Sequence, residues 1–283
     1  MFGAERLSYV GEVARREDHY RFMCTLFAPK SIREDLFALL AFNVEVARIP
    51  DLISEVSIGQ IRLQWWRDCI SEIFDGGGPP RGHPVAEALA SCIGRYDLSR
   101  AHFDGLLEAR ERDFISEDLE TMTEFQAYAE GIGSRLACLM LEVLGIRDSV
   151  TIEAVGAVGE GWALTGILRT IVFHARSERV YLPKEILDEA GISYTEIKNL
   201  ENLPRLGEVV KRIAALAYAG ITHARSLRNH IDLRAIPVLL LASIASDYLH
   251  FIQRLKYDVF HPRHEFFRPS IVKLGLRAWG KTY

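Results

Sequence analysis

The sequence predicts an all-α fold, because helical spacing of apolar residues dominates it and strand signals are scarce. Apolar side chains recur at steps of three and four residues over 36–53 and again over 206–227, which is the spacing of one helix face. The chain shows no run of alternating β-branched residues bounded by an Asn-Gly or Asp-Gly turn, the pattern of a hairpin. Its 283 residues are enough for one large domain or two small ones. We therefore expect a single helical domain over residues 1–283.

Glycines and prolines predict where the helices end. Breaks of this kind fall at Pro29, at 76–80, near Gly145, at Pro183, at Pro204 and around His261–Pro262. They divide the chain into roughly eight to ten helices of common length. None of these breaks is long enough for an interdomain linker, and no internal repeat is visible, which again favours one domain.

The composition is typical of a globular protein without affinity for nucleic acid. Apolar residues make up 49% of the chain and charged residues 25%, and the net charge is -4, so no general attraction to a polyanion is expected. The four cysteines are far apart and predict buried free thiols in a reducing compartment: Cys24, Cys69, Cys92 and Cys138. No secretory signal pattern is seen, and the apolar run 235–245 is shorter than the roughly 20 residues of a membrane span. We expect a cytoplasmic protein, with peripheral contact to the inner face of the membrane left open.

The most informative segment covers residues 163–183 and reads ALTGILRTIVFHARSERVYLP. It resembles the second signature of the squalene and phytoene synthases, in which two aspartates four residues apart bind magnesium. Thr170 and His174 stand at these two aspartate positions, and Ala163 and Gly166 stand at a glutamine and an asparagine that contact diphosphate in that family. The resemblance implies an isoprenoid-synthase-type helical bundle around a central cavity. The hard oxygen ligands that magnesium prefers are nevertheless replaced.

The first signature of that family should lie at the end of the helical run 36–53. Its hydrophobic frame places Ala47 at the family's arginine, with Pro50 and Ser54 at two of its aspartates. Asp51 and Glu55 form a pair four residues apart, but one position out of the family register, so on a helix they would face another direction. Such a pair is a weak metal motif. We expect a solvated or capping pair, and we assign no metal ligand.

Several polar positions of the resembled family survive. Arg169, Arg179 and Tyr181 match its frame, Arg176 keeps a basic charge nearby, and Asp113 falls near its central aspartate. Such groups can hold an anion or a polar lipid head group by charge-assisted hydrogen bonds. The alternative is that the arginines brace helix ends and surface acids. The candidate ligand-binding residues are Asp51, Glu55, Asp113, Arg169, Arg176, Arg179 and Tyr181.

The C-terminal segment from about residue 254 is basic and aromatic. Seven lysines or arginines are interleaved with aromatic residues, among them Phe260, Phe266, Phe267, Trp279 and Tyr283, and only two acids oppose them. The pattern suits an anionic membrane surface or an acidic partner. A solvated face is the ordinary alternative. The basic residues are Arg254, Lys256, Arg263, Arg268, Lys273, Arg277 and Lys281.

Within the family, the stretches 37–45, 58–62, 257–262 and 279–283 resemble the subgroup of mitochondrial assembly factors for respiratory complex I. That resemblance implies a bacterial relative that serves the assembly of NADH:quinone oxidoreductase. The combined loss of both carboxylate pairs favours a catalytically degenerate protein without a cofactor. Its partner would be a complex I subunit or assembly intermediate.

Two other functions stay open. An active transferase of the squalene or phytoene synthase type would join two prenyl diphosphates with Mg²⁺, using Asp51, Glu55 and Asp113 unconventionally. A binding protein would hold an isoprenoid, a quinone or another lipid in the prenyl cavity without chemistry.

Overall fold

The protein is described by a computed structural model that covers residues 7–53, 55–114, 119–200 and 204–283, apart from the side chain of Glu265. These residues form α-helices and short 3₁₀ turns, and no strand occurs among them. The all-α prediction is therefore confirmed. The α-helices are α1 (Tyr9–Glu17), α2 (His19–Thr25), α3 (Arg33–Ala47), α4 (Ile49–Leu52), α5 (Val56–Phe74), α6 (Pro84–Arg95), α7 (Arg100–Glu111), α8 (Met122–Val143), α9 (Ser149–Ala175), α10 (Lys184–Glu189), α11 (Tyr194–Lys198), α12 (Leu206–Ser226), α13 (Ile236–Leu239), α14 (Leu241–Arg254) and α15 (Ile271–Trp279).

Helix α9 lies at the centre of the bundle. It packs against α8, α12, α13 and α14, and it buries Val155, Val158, Leu164 and Leu168 on different sides. A helix that is apolar on every side is stable only when its neighbours cover it. Residues 163–168 of the second signature therefore lie mostly inside the protein, whereas Arg169 is exposed.

Helices α8 and α9 approach each other at a pair of glycines. A Cβ atom placed on Gly133 would lie 2.2 Å from the carbonyl oxygen of Gly159, and one on Gly159 would lie 2.7 Å from the oxygen of Gly133. No side chain fits at either position, so the two backbones are in direct contact. This contact sets the position of α9 relative to α8.

The stretch Leu233–Arg254, which includes α13 and α14, is long and apolar enough to cross a membrane by length and composition alone. However, 83% of its most apolar window is buried inside the protein. A helix that other helices cover in this way is a core element. The four cysteines are free and buried, as predicted.

Candidate functional site

The first-signature region is broken into two helices. Helix α3 ends at Ala47, Pro50 lies at the start of the single-turn α4, and the chain is extended at Ile53 and Glu55 before α5 begins. Proline cannot donate the backbone hydrogen bond that would continue α3, although it is well suited to a first helical turn. Asp51 and Glu55 consequently do not share one helix face. The uninterrupted helical run suggested by the apolar spacing of 36–53 is wrong beyond Ala47.

The two acids of this region have different surroundings. Glu55 is exposed at the N-cap of α5, where its side chain makes no capping hydrogen bond. Asp51 forms an ion pair with Arg179, which follows α9 in the chain. A carboxylate held by a guanidinium is neutralised by it and is a poor ligand for a cation. Ser54 lies outside the described residues.

The second-signature residues are used for packing and for backbone hydrogen bonds. The Thr170 hydroxyl donates to the carbonyl oxygen of Gly166 at 2.9 Å, a local bond that serine and threonine often make within helices. Ala163 is buried and faces Gly133 of α8. Arg176 is exposed at the C-cap of α9. Neither Thr170 nor Ala163 has a carboxylate that could bind a metal ion.

His174 is enclosed between aromatic rings and is held neutral. Its ring meets that of Tyr181 edge to face, with centroids 4.8 Å apart, and its Nδ1 atom is buried without a hydrogen-bond partner among the described residues. Burial, and then the positive charge of Arg179, lower the pKa of His174 to about 4. A neutral imidazole in this position does not replace the oxygen ligand of a magnesium ion.

Asp113 belongs to a buried polar network. Its carboxylate is 1% exposed, and it accepts hydrogen bonds from the Tyr128 hydroxyl at 2.7 Å and from Arg110 at 3.3 Å. The Tyr181 ring stacks on that of Tyr128, with centroids 5.7 Å apart. Burial and the Asp113 charge raise the pKa of both phenols, which therefore stay protonated and can donate. Asp113 is satisfied by neighbouring side chains in this arrangement.

One polar cleft of about 920 Å³ brings together six of the residues singled out from the sequence. They are Pro50, Asp51, Glu55, Asp113, Arg179 and Tyr181. The Asp51–Arg179 ion pair joins α4 to the segment after α9 in the lining of this cleft. These residues thus line one cleft, and in it the charges of Asp51 and Arg179 neutralise each other.

A second cavity, of about 820 Å³, contains four other signature positions. Ala47, Gly166, Arg169 and Thr170 line it, together with the aromatic rings of Tyr20 and Trp162. Six arginines and only two acids line this cavity. Four of the arginines form ion pairs with these acids or with Asp113, and the lining still carries an excess of positive charge. The arginines are Arg16, Arg21, Arg48, Arg110, Arg169 and Arg268, and the acids are Glu17 and Asp18.

Arg169 is held over aromatic faces at the edge of this cavity. Its guanidinium carbon lies 4.7 Å from the Tyr20 ring centroid, 5.6 Å from that of Tyr248 and 5.9 Å from that of Phe267. Such cation–π contacts orient the side chain without neutralising its charge. The charge of Arg169 thus stays available to an anion in the cavity.

Sequence reasoning did not assign Arg48, Arg110 or Trp162 to the cavity. Arg48 directly follows Ala47, so a basic residue stands one position beyond the place where the resembled family carries its arginine. Arg110 lies three residues before Asp113, the spacing of an ion pair on a helix. These two spacings were detectable signals. Trp162 gave no local signal, because a tryptophan on an apolar helix is usually part of the core.

The residues at the magnesium positions of the resembled family do not fit that ion. Among the residues that the structure describes, no group of three or more His, Cys, Asp or Glu side chains could hold a metal. Thr170 and His174 offer no carboxylate, and Asp51 is paired with Arg179. Magnesium favours near-octahedral oxygen coordination that includes carboxylates. These positions do not provide it.

Comparisons with known proteins agree with the fold. Residues 14–271 match the squalene/phytoene synthase family. The sequence is 32% identical to complex I assembly factor 6 of Bos taurus, over 97% of this chain and 82% of that protein. It is 27% identical to presqualene diphosphate synthase of Rhodopseudomonas palustris, over 74% of each chain. A crystal structure of a dehydrosqualene synthase with a ligand superposes with a TM-score of 0.82 at 19% identity, covering 96% of this chain and 94% of that one. The chain therefore belongs to the squalene/phytoene synthase family.

Proposed function

We propose that this protein is an assembly factor for respiratory complex I, the NADH:quinone oxidoreductase, and that it acts by binding rather than by prenyl transfer. The relative from Bos taurus is named as such a factor, and the similarity covers nearly the whole of this chain. A shared fold does not carry a function by itself, so the site must support it.

The observation that carries the proposal is the chemistry at the two magnesium motifs. Thr170 bonds to its own helix, and His174 is neutral and enclosed. Asp51 is neutralised by Arg179. Departure of a diphosphate group needs metal ions that neutralise its developing charge. Without a pair of free carboxylates to hold those ions, the protein keeps the family's cavity but lacks the means to ionise a prenyl diphosphate.

Gene deletion tests the assembly role. We expect loss of the protein to lower both the NADH:quinone oxidoreductase activity of membranes and the amount of assembled complex on native gels. The wild-type gene and a Thr170→Ala variant should both restore the complex, since the Thr170 hydroxyl bonds within its own helix. An unchanged level of assembled complex in the deletion strain would refute the assembly role.

An enzyme assay tests the absence of prenyl transfer. Purified protein is incubated with farnesyl or geranylgeranyl diphosphate and Mg²⁺, with a presqualene diphosphate synthase as the positive control. We expect no metal-dependent release of diphosphate from this protein. Diphosphate release together with a coupled prenyl product would identify an active transferase instead.

The cationic cavity favours a second candidate function, the binding of an isoprenoid or quinone. About 820 Å³ of space is lined by arginines, by Tyr20 and by Trp162, a combination that suits a polar head and an apolar tail. Native mass spectrometry of protein extracted gently from cells should detect a bound isoprenoid. Protein that is empty after such extraction would count against this function.

A further inference from the structure

The C-terminal segment exposes an unusual concentration of large apolar side chains. Their exposure ranges from 61% for Leu276 to 86% for Trp279, and elsewhere in the described part of the chain only Ile61 reaches this range. Contiguous apolar surface of this kind marks an interaction site on a folded protein. The residues are Phe266, Ile271, Val272, Leu276 and Trp279.

Helix α15 presents three of these side chains on one face. Val272, Leu276 and Trp279 are spaced by four and three residues, so they project in one direction. Leu274 is buried and attaches the opposite side of the helix to the protein. At the N-terminus, the Ser270 hydroxyl accepts a hydrogen bond from the backbone N–H of Lys273 at 3.2 Å. The exposed face therefore belongs to a capped and anchored helix.

Cations surround this apolar face. From residue 262 to the last residue the sequence has five lysines or arginines and a single acid, Glu265. Lys273 forms an ion pair with Asp247. Arg263 and Lys281 are exposed at the two ends of the segment. Long basic side chains beside apolar ones can extend toward phosphate groups while the apolar residues enter a less polar layer.

We propose that residues 266–281 form a docking surface for an anionic membrane, in which α15 lies parallel to the bilayer plane. Apolar side chains on one face, flanking lysines and arginines, and a tryptophan are the features of interfacial helices. Anionic head groups attract the flanking cations, and the indole of Trp279 occupies the interface between head groups and acyl chains.

The docking surface adjoins the cationic cavity. Arg268, Pro269 and Ile271 line that cavity, and Ile271 is also 67% exposed. The cavity therefore opens beside the apolar face of α15. On a membrane, its mouth would face the lipid head groups, which gives an amphipathic ligand a direct route into it. The docking surface is independent of the role in complex I assembly.

Vesicle binding tests the docking surface, with Trp279 as an internal reporter. The full-length protein is mixed with vesicles of phosphatidylcholine alone or with about 30% phosphatidylglycerol. Binding is followed by co-sedimentation and by tryptophan fluorescence. We expect binding to the anionic vesicles, a blue shift of the emission, and weakening of the binding at about 0.5 M salt. Trp279→Ser should remove most of the blue shift, because Trp66 and Trp162 are buried and Trp65 is only 36% exposed, against 86% for Trp279.

Matched variants distinguish binding through the docking surface from nonspecific binding of exposed apolar side chains to vesicles. The pair Leu276→Ser and Trp279→Ser should weaken binding to anionic vesicles at least about tenfold. Arg263→Glu with Lys281→Glu should weaken it by a similar factor and reduce its salt dependence. Ile61→Ser removes an apolar side chain of similar exposure (68%) from α5, and it should bind like the wild type.

Several outcomes would overturn the proposal. One is equal binding to neutral and anionic vesicles, and another is no binding to anionic vesicles even at low salt. A loss of binding in Ile61→Ser as large as in the α15 variant would also overturn it. The proposal would also be overturned if the wild-type protein were a dimer that does not bind vesicles and the Leu276→Ser, Trp279→Ser variant were a monomer. The apolar face of α15 would then be a contact between two copies of the chain.

Discussion

At the scale of single residues, the side chains at the signature positions bind other groups of the protein. The reaction of the family would instead require these positions to bind a metal ion or a phosphate group. His174 packs on Tyr181, Arg179 holds Asp51, and Tyr128 donates to Asp113. Each contact satisfies or neutralises a group that could otherwise bind a metal or a phosphate. Two of these residues carry predictions that can be measured without knowing the ligand.

His174 should make stability depend on pH. Its pKa is about 4 in the folded protein and about 6.5 when unfolded. Between these values the unfolded chain binds the proton and the folded protein does not, so stability is complete above the unfolded pKa and falls as the pH is lowered. We expect the contribution of His174 to fall by about 2 kcal/mol between about pH 8 and about pH 5.

Urea unfolding of wild type and His174→Asn at both pH values measures this contribution. Asparagine keeps polar atoms in the site but does not titrate in this range. The difference in unfolding free energy between the two proteins should therefore change with pH in favour of the variant under acidic conditions. A difference that is constant from neutral to acidic pH would show that His174 titrates normally in the folded protein.

Asp113 should be needed to neutralise Arg110. Removing one partner of a buried ion pair leaves the other charge without compensation, so Asp113→Ala should destabilise the protein by about 2–3 kcal/mol. Asp113→Asn should cost less, because its amide oxygen can still accept from Tyr128. Asp104→Ala is the control, since Asp104 pairs with Arg100 at the exposed surface and its loss should cost less than about 0.5 kcal/mol. Equal losses in the Asp113 and Asp104 variants would contradict the buried network.

At the scale of secondary-structure elements, the sequence predicted helix α12 closely but continued one helix across Pro50. The periodic stretch 206–227 corresponds to α12, Leu206–Ser226. The stretch 36–53 is instead divided into α3 and α4, and the chain leaves the helix at Ile53. Apolar spacing continues across the break, so periodicity alone did not reveal it. The backbone chemistry of Pro50 decided the outcome.

The contact between α8 and α9 carries a prediction at this scale. Gly133→Ala places a Cβ 2.2 Å from the carbonyl oxygen of Gly159, so the two helices must separate. We expect a loss of about 2–3 kcal/mol in unfolding free energy, as for overpacked cores. Gly94→Ala on α6 meets no atom within 4 Å and should instead stabilise by roughly 0.5 kcal/mol.

Denaturant unfolding of the two glycine variants distinguishes these effects. Opposite signs for Gly133→Ala and Gly94→Ala are expected, because one substitution creates a clash and the other improves helix propensity. If Gly133→Ala proved as stable as the wild type, the backbones of α8 and α9 could not be in direct contact.

At the scale of the whole molecule, the protein has the helical bundle of its family. Charged side chains line two of its cavities, one cationic and one in which an acid and an arginine form an ion pair. The cationic cavity is lined by six arginines. The acids of the first signature, Asp51 and Glu55, face a separate cleft. An excess of positive charge in one cavity favours anions and disfavours divalent cations. The apolar C-terminal face lies beside that cavity.

The charge of the cavity predicts the response to ions. Mg²⁺ at about 5 mM should change the thermal midpoint by less than about 1 °C, because a ligand stabilises a protein only when it binds the folded state. Inorganic diphosphate should raise the midpoint, and Arg169→Ala should reduce that rise. Differential scanning fluorimetry measures both, with sodium sulfate at equal ionic strength as the control. A thermal midpoint that rises steadily with the Mg²⁺ concentration would contradict the inference that the two signature regions do not bind magnesium.

The sequence by itself determined the all-α class, the position of several helix ends and the replacement of acids at Thr170 and His174. These features are local, because helix periodicity, proline and residue identity can each be read along the chain. The organisation into one domain stays a prediction.

Only the tertiary structure decided how the surviving groups are used. It paired Asp51 with Arg179 and Asp113 with Tyr128, and it placed most of the signature positions in two separate cavities. Spacing along a helix gives the direction of a side chain relative to its own axis, but not what another helix places opposite it. Contacts between residues as far apart as Asp51 and Arg179 depend on how whole helices pack, and the packing of α8 on α9 follows from a backbone contact at Gly133 and Gly159.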